Sequence, residues 1–374
     1  MQLDASRRTF LAGAGLTILG CGRRARPGFA GFAFIANEEG SAVAAVDLTA
    51  FAVIRHIRLD AAPTELINHN ARKTIYALTP TTGGVHEIAT ASMLRARSTG
   101  VGGKVVGVRH SRLKDAIYAI VSTPRQLVEI ELDSMRVTRR IPLPATPVDM
   151  DLAPHQPLAL ISMGAEGAAV VNLASGAVER VPTGFPAGTV RFRQNGLQWI
   201  AAHRERKMLS FFDTATSRLV VRVPLAMHPE NFCFKADGGQ LFVTGAGMDA
   251  VAIVYPYSTE VAETVLAGHG PAAMAVSHDV RGTAELLYVT NPQSGQVTIL
   301  SIDSRKVITT APAGGEPSFI ALTPDNQCAL VLNRRSGDVS VLMTSVARRN
   351  KNTPSLFTMI PVGSKPVCAV VQAV

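Results

Sequence analysis

Apolar and polar residues alternate in short runs from residue 32 to the end of the chain. Polar turns rich in Gly, Pro, Asp and Asn separate the runs. A period of two predicts β-strands, and no helical period appears after residue 22. The stretch YVTNPQSGQVTILSID, beginning at Tyr288, reads as strand, Gly-containing turn, strand. It recurs. Copies aligned on Tyr288 begin FIAN at Phe34, YALT at Tyr76, YAIV at Tyr118 and ALIS at Ala159. Further copies begin IAAH at Ile200, FVTG at Phe242 and LVLN at Leu330, so the spacings are 42, 42, 41, 41, 42, 46 and 42 residues. Each copy runs on into a second alternating segment (VVNL, LSFFDT) and then a third (RLVVRVPL). A fourth follows a Pro-containing turn (PENFCFKA, PSFIALTP). Four short strands recurring at this period predict an all-β protein built as a propeller, with four antiparallel strands in each blade.

The count of copies predicts eight blades. Nothing resembling an inner strand precedes Phe32, and the chain ends in a lone inner strand, KPVCAVVQAV. Pairing that strand with the three N-terminal ones completes a blade and closes the ring, which removes a bare sheet edge. The repeats resemble the YVTN-type β-propeller family. YVTNPQSGQVTILSID is close to the family's strand-turn-strand, and GGEPSFIALTPDNQ matches its Pro-containing inner strand and following turn. The resemblance covers residues 32–374, with copies three to five less alike in their letters. It implies a radial scaffold of diverse roles with no universal catalytic residues. Members more often have seven blades, which makes seven the alternative to eight.

The N-terminus carries a different signal. SRRTFLAGAGLTILGC sets Arg7 and Arg8 before an apolar stretch, Phe10 to Gly20, that is too short to span a bilayer. It resembles a twin-arginine export signal, with Ser6, Arg7, Arg8, Phe10 and Leu11 matching. ILGC resembles a lipobox, which makes Cys21 the expected lipid-attachment residue. The expected organisation is an export signal over 1–21, a short linker over 22–31 and one propeller domain over 32–374. The expected location is periplasmic or at the cell surface, held to a membrane by the lipid.

Composition adds little more. The 374 residues are 47% hydrophobic and 17% charged, a globular balance, with a formal net charge of +9. A basic balance favours anionic partners, but RERK at 204–207 and RRNK at 348–351 are too short to name one and read as solvated loops. Nucleic acid is not expected as a partner; a protein or a small anion is, with the propeller itself a monomer. Cys233, Cys328 and Cys368 lie in apolar strand patterns without zinc or disulfide spacing, and read as buried structural thiols. There is no G-x-S-x-G elbow and no H-E-x-x-H, and GVGGKVV at 100–106 lacks the form of a phosphate-binding loop. Trp199 is the sole tryptophan. No cofactor is evident. The reading is a binding or interaction scaffold; the alternative is a metal- or cofactor-dependent periplasmic enzyme with its site on the inter-blade loops.

Blade topology sorts the candidate residues between two faces. Turns after strands one and three emerge on one face; the turn after strand two and the connection to the next blade emerge on the other. On the inter-blade face, AMHPEN and AGHGPA supply His228, Glu230 and His269, with Glu316 and Lys365 near in register and His203 on the preceding hairpin. Imidazoles and carboxylates in loops free of core constraint can bind a ligand, and His228 and His269 are the candidate metal ligands there. The opposite face carries His69, His110, His155 and His278 in the turns after inner strands, which the width of the ring is expected to hold too far apart for one metal. Asp149 and Asp151 in the fourth inner strand face Arg191 and Arg193 in the fifth. Asp151 and Arg191 fall at one depth, predicting an inter-blade ion pair or an anion site lining the channel.

Overall fold

The computed structural model describes residues 28–258, 260–277, 285–344 and 356–373. The described strands form eight four-stranded antiparallel sheets arranged as a ring, a β-propeller. Seven sheets take four consecutive strands each, and the first is completed from the far end of the chain. There Pro366–Ala373 pairs antiparallel with Gly31–Asn37, setting Ala33 opposite Val371 and Ala36 opposite Cys368. Closure therefore occurs where the lone C-terminal strand predicted it. Two 3-10 turns, Asn70–Arg72 and Arg204–Arg206, interrupt the strands, and no helix among the described residues is long and apolar enough to cross a membrane.

Each blade is a sheet pressed between two others, and this explains a departure from simple alternation. Leu286–Asn291 and Cys328–Asn333, second strands of the seventh and eighth blades, are buried at all six positions. Both faces of a middle strand meet apolar neighbours, so both sets of side chains must be apolar or satisfied. Outer strands face solvent, as in Leu94–Gly100, where every residue but one is exposed. Eight apolar clusters fill the eight interfaces between blades. Phe34 and Ala45 of the first blade, for example, pack on Ile75 and Ala77 of the second. Full burial of one such large side chain contributes about 1.5–3 kcal/mol. Trp199 belongs to this framework: it is fully buried and stacks on Phe212 with ring centroids 4.0 Å apart.

The last letter of the repeat motif has a structural task. Asn291 donates from Nδ2 to Thr298 Oγ1 at 3.0 Å, and Asn333 donates to Ser340 Oγ at 2.9 Å. Asn291 Oδ1 also accepts from Gly268 N, pinning the incoming connection to the hairpin. In the fifth blade His203 replaces the Asn and its Nε2 meets Ser210 Oγ at 2.8 Å. In the second, Thr79 pairs with His86 at 3.0 Å. In the sixth the position is Gly245, where a Cβ would collide with the His228 carbonyl.

Candidate functional site

On the inter-blade face each candidate is already engaged by a neighbouring group. His228 Nδ1 contacts the Arg204 carbonyl at 2.9 Å, and Glu230, the bulged residue between Pro229 and Asn231, accepts from Arg204 Nε at 2.7 Å. His269 Nδ1 lies 2.7 Å from Asp249 Oδ2. Glu316 faces Arg335 at 3.8 Å, and Lys365 reaches Glu38 and Glu39 at 3.4 and 3.3 Å. These four candidates, His228, Glu230, His269 and Glu316, are not brought together as a metal-holding group among the described residues. His203 is buried as a hairpin clamp and is unavailable to a ligand. A hollow of about 620 Å³ does open on this face, lined in part by Glu316, Arg334, Arg335 and Lys365.

The turn face differs. Inner strands are the edge strands of their sheets, so some of their backbone N–H groups need partners outside the ladder. Carboxylates of the preceding blade supply them: Glu65 Oε2 accepts from Val108 N at 3.1 Å, Asp149 Oδ2 from Val190 N at 3.0 Å and Asp151 Oδ2 from Phe192 N at 2.8 Å. The same acids hold the arginines. Arg109 pairs with Glu65 at 2.5 Å and reaches Asp149 at 3.4 Å; Arg191 pairs with Asp149 at 2.5 Å. Four consecutive blades are thus linked in the order Glu65, Arg109, Asp149, Arg191. The inter-blade ion pair expected between Asp151 and Arg191 forms instead on Asp149, because Asp151 is engaged by the backbone. Burial pushes the Asp151 carboxyl above its ordinary value, against the pull of Arg191.

Beside this chain lies a hollow of about 340 Å³, lined by Arg109, Arg112, Arg191, Arg193, Asp151 and His110 among others. Arg193 is buried. It donates to Gln198 Oε1 at 2.5 Å and to the Pro256 carbonyl at 3.3 Å, and its guanidinium lies 4.4 Å from the Tyr257 ring centroid. Burial lowers its pKa from the ordinary value. Arg193 and Arg112 have no carboxylate partner among the described residues, whereas Arg109 and Arg191 do.

His69 and His110 close the second and third inner strands, Glu65–His69 and Lys104–His110. Contrary to the expectation that the ring separates them, their ring centroids are 4.5 Å apart. Inner strands of neighbouring blades run side by side near the axis, where the ring is narrowest. Asp115, in the turn after the third inner strand, joins them; its Oδ1 is 2.9 Å from His69 Nε2. Arg72 binds the other Asp115 oxygen and Asp133. That guanidinium holds the Asp115 carboxyl below the usual range, and burial, with His69 beside it, lowers the His110 pKa. His110 Nε2 is buried without a hydrogen-bond partner. The two histidines stand 41 residues apart, one repeat, and that equal register was the signal in the sequence. His155 lies exposed in the next turn, outside the group; His278 lies outside the described residues.

The three thiols lie in strands, Cys328 buried and Cys233 and Cys368 half-buried. Burial pushes Cys233 and Cys368 up to about 12 and Cys328 to about 11, which leaves them protonated and inert. Arg7, Arg8, Cys21 and the RRNK segment lie outside the described residues.

Eight blades and their sites define a β-propeller protein. No protein-family model matches the chain. Among curated proteins it is similar to the seven-bladed beta-propeller protein Rv1057 of Mycobacterium tuberculosis, 27% identical over 177 residues. That match covers 46% of this chain and 42% of the relative, so the chain spans about two fifths of the relative's length. Among solved structures it is similar to the dihydro-heme d1 dehydrogenase NirN in complex with DHE, with a TM-score of 0.75 and 10% identity. The alignment covers 92% of this chain and 76% of NirN. Apo AztD from Citrobacter koseri aligns with a TM-score of 0.67 and 14% identity over 91% of this chain and 97% of AztD. At such identities the likeness is one of fold.

Proposed function

We propose that the protein is an exported, lipid-anchored propeller of the YVTN type that acts as a binding scaffold, taking a small anionic ligand in the arginine-lined hollow of the turn face. The observation that carries this reading is that Arg112 and Arg193 line the hollow without a carboxylate partner among the described residues. Planar, weakly hydrated guanidinium groups suit carboxylate or phosphate, that of Arg193 is held in place by Gln198 and the Pro256 carbonyl, and the net charge of +9 favours the approach of an anion. Export and anchoring rest on Arg7, Arg8 and Cys21 in their sequence context. A second reading places the ligand on the inter-blade face around His228, Glu230, His269 and Glu316, favoured by the larger hollow there. In that hollow Lys365 and Arg335 already face carboxylates, which lowers its appeal to an anion.

Calorimetric titration with inorganic phosphate and with succinate separates the two readings. Arg112→Ala, an exposed change, is expected to weaken whichever anion binds about tenfold or more, while Lys365→Ala leaves affinity unchanged. Loss with Lys365→Ala alone assigns the ligand to the other face. Export is tested by Arg7→Lys with Arg8→Lys, which should retain the chain in the cytoplasm. Cys21→Ala should release it from the membrane fraction or leave the precursor uncleaved; an unlipidated wild-type chain removes the anchor and leaves export standing.

A further inference from the structure

We infer that His69, His110 and Asp115 form a site for one divalent transition cation of the zinc class, bridging the second and third blades. This goes beyond the anion reading and does not depend on it. The ligand atoms all lie within 4.8 Å of one another. A tetrahedral cation bonded at about 2.0–2.2 Å brings its ligand atoms to about 3.4 Å apart. Small side-chain rotations therefore complete the geometry, with the backbone of both blades in place.

Three features point to a cation. First, two imidazoles and a carboxylate are the donor set of zinc and its neighbours, and too few oxygens for calcium. Second, His110 Nε2 is buried with nothing to bond to, although a buried polar atom normally has a partner. A metal satisfies that atom. Third, the carboxylate is already held in place: Arg72 binds Asp115, with Asp133 as its second partner. Arg72 fixes the carboxylate from behind, as groups around a bound metal commonly do.

His69 Nε2 now shares a proton with Asp115 Oδ1, and the cation takes that proton's place. Its ring proton then sits on Nδ1, which gives up only the long 3.3 Å contact from Arg72 N. Three protein ligands leave one position of a tetrahedral ion for water or an anion. His110 lines the arginine hollow as well as this group.

The test uses the full chain, stripped with chelator and titrated with Co(II), read by its visible absorption bands and by zinc competition. Wild-type protein is expected to bind about one equivalent with a tetrahedral-type spectrum, displaced by zinc, and to melt at a higher temperature with zinc present. His110→Ala should weaken Co(II) binding at least about tenfold. Because His110 Nε2 has no hydrogen-bond partner to lose, the metal-free variant should melt close to wild type. Asp115→Asn should also weaken binding, and the His228→Ala, His269→Ala double variant should bind as wild type. Absence of stoichiometric Co(II) binding by the wild-type chain, or full affinity in His110→Ala, overturns the site.

Discussion

The two faces of the ring carry similar residue types and use them differently. On the inter-blade face, contacts form separate small groups between a blade and its neighbour, as between His269 and Asp249, between Arg204 and both His228 and Glu230, or among Arg334, Glu38, Lys365 and Glu39. On the turn face, Glu65, Arg109, Asp149 and Arg191 connect four blades without a break. The residues of that chain stand in the inner strands, whose edges need acceptors for their N–H groups. His269 and Glu316 stand in connections that lead into the next blade. Convergence of side chains in a propeller thus comes from what the inner strands themselves present. Connections surround the channel yet keep their polar groups occupied with the adjacent hairpin.

Perturbations of decreasing size can break or sharpen this contrast. Deleting residues 366–374 removes the strand that closes the frame common to both faces and exposes the edge of Gly31–Asn37. Cooperative thermal unfolding should disappear, and a sharp transition at the wild-type temperature would disprove closure. Asp149→Ala leaves Arg109 and Arg191 part-buried without their shared carboxylate, at an expected cost of about 3 kcal/mol in denaturant unfolding. Its counterpart Glu230→Ala breaks an exposed pair and should cost about 0–1 kcal/mol. Equal costs would erase the distinction between the faces.

A subtler difference is in pH. Burial lowers the pKa of His203 and of His86 from 6.5, so the folded chain favours their neutral forms while the unfolded chain binds protons near 6.5. Their contribution is complete above about pH 6.5 and is lost as pH falls below it toward the folded values. His203→Asn restores the residue that clamps the hairpin in the seventh and eighth blades. It should keep the contact to Ser210 and flatten the melting temperature between about pH 7.5 and about pH 5.5, roughly one unit either side of the ordinary value. An unchanged slope would place the acid sensitivity elsewhere. The smallest effect is expected from His228→Ala with His269→Ala, within about 0.5 kcal/mol of wild type in urea, as for exposed side chains outside the core.

The repeat was legible because each blade must present the same apolar register to two neighbours. Copies such as YALT at Tyr76 and LVLN at Leu330 therefore keep their pattern even where letters change. The lone C-terminal strand and the missing first inner strand determined ring closure, and with it the number of blades. The sorting of turns onto two faces also followed from strand order alone. Side-chain partners did not. Asp151 and Arg191 share a depth, yet Phe192 N takes the carboxylate and Arg191 turns to Asp149, a choice between acceptors two residues apart. His203 matches a repeat position in the sequence, but only the packed hairpin shows it clamped to Ser210. The meeting of His69, His110 and Asp115 needed the distance between neighbouring inner strands near the axis. Periodic burial is a property of each segment and can be read along the chain. The approach of polar groups from different blades depends on the radius and tilt with which eight sheets pack, which tertiary structure alone decides.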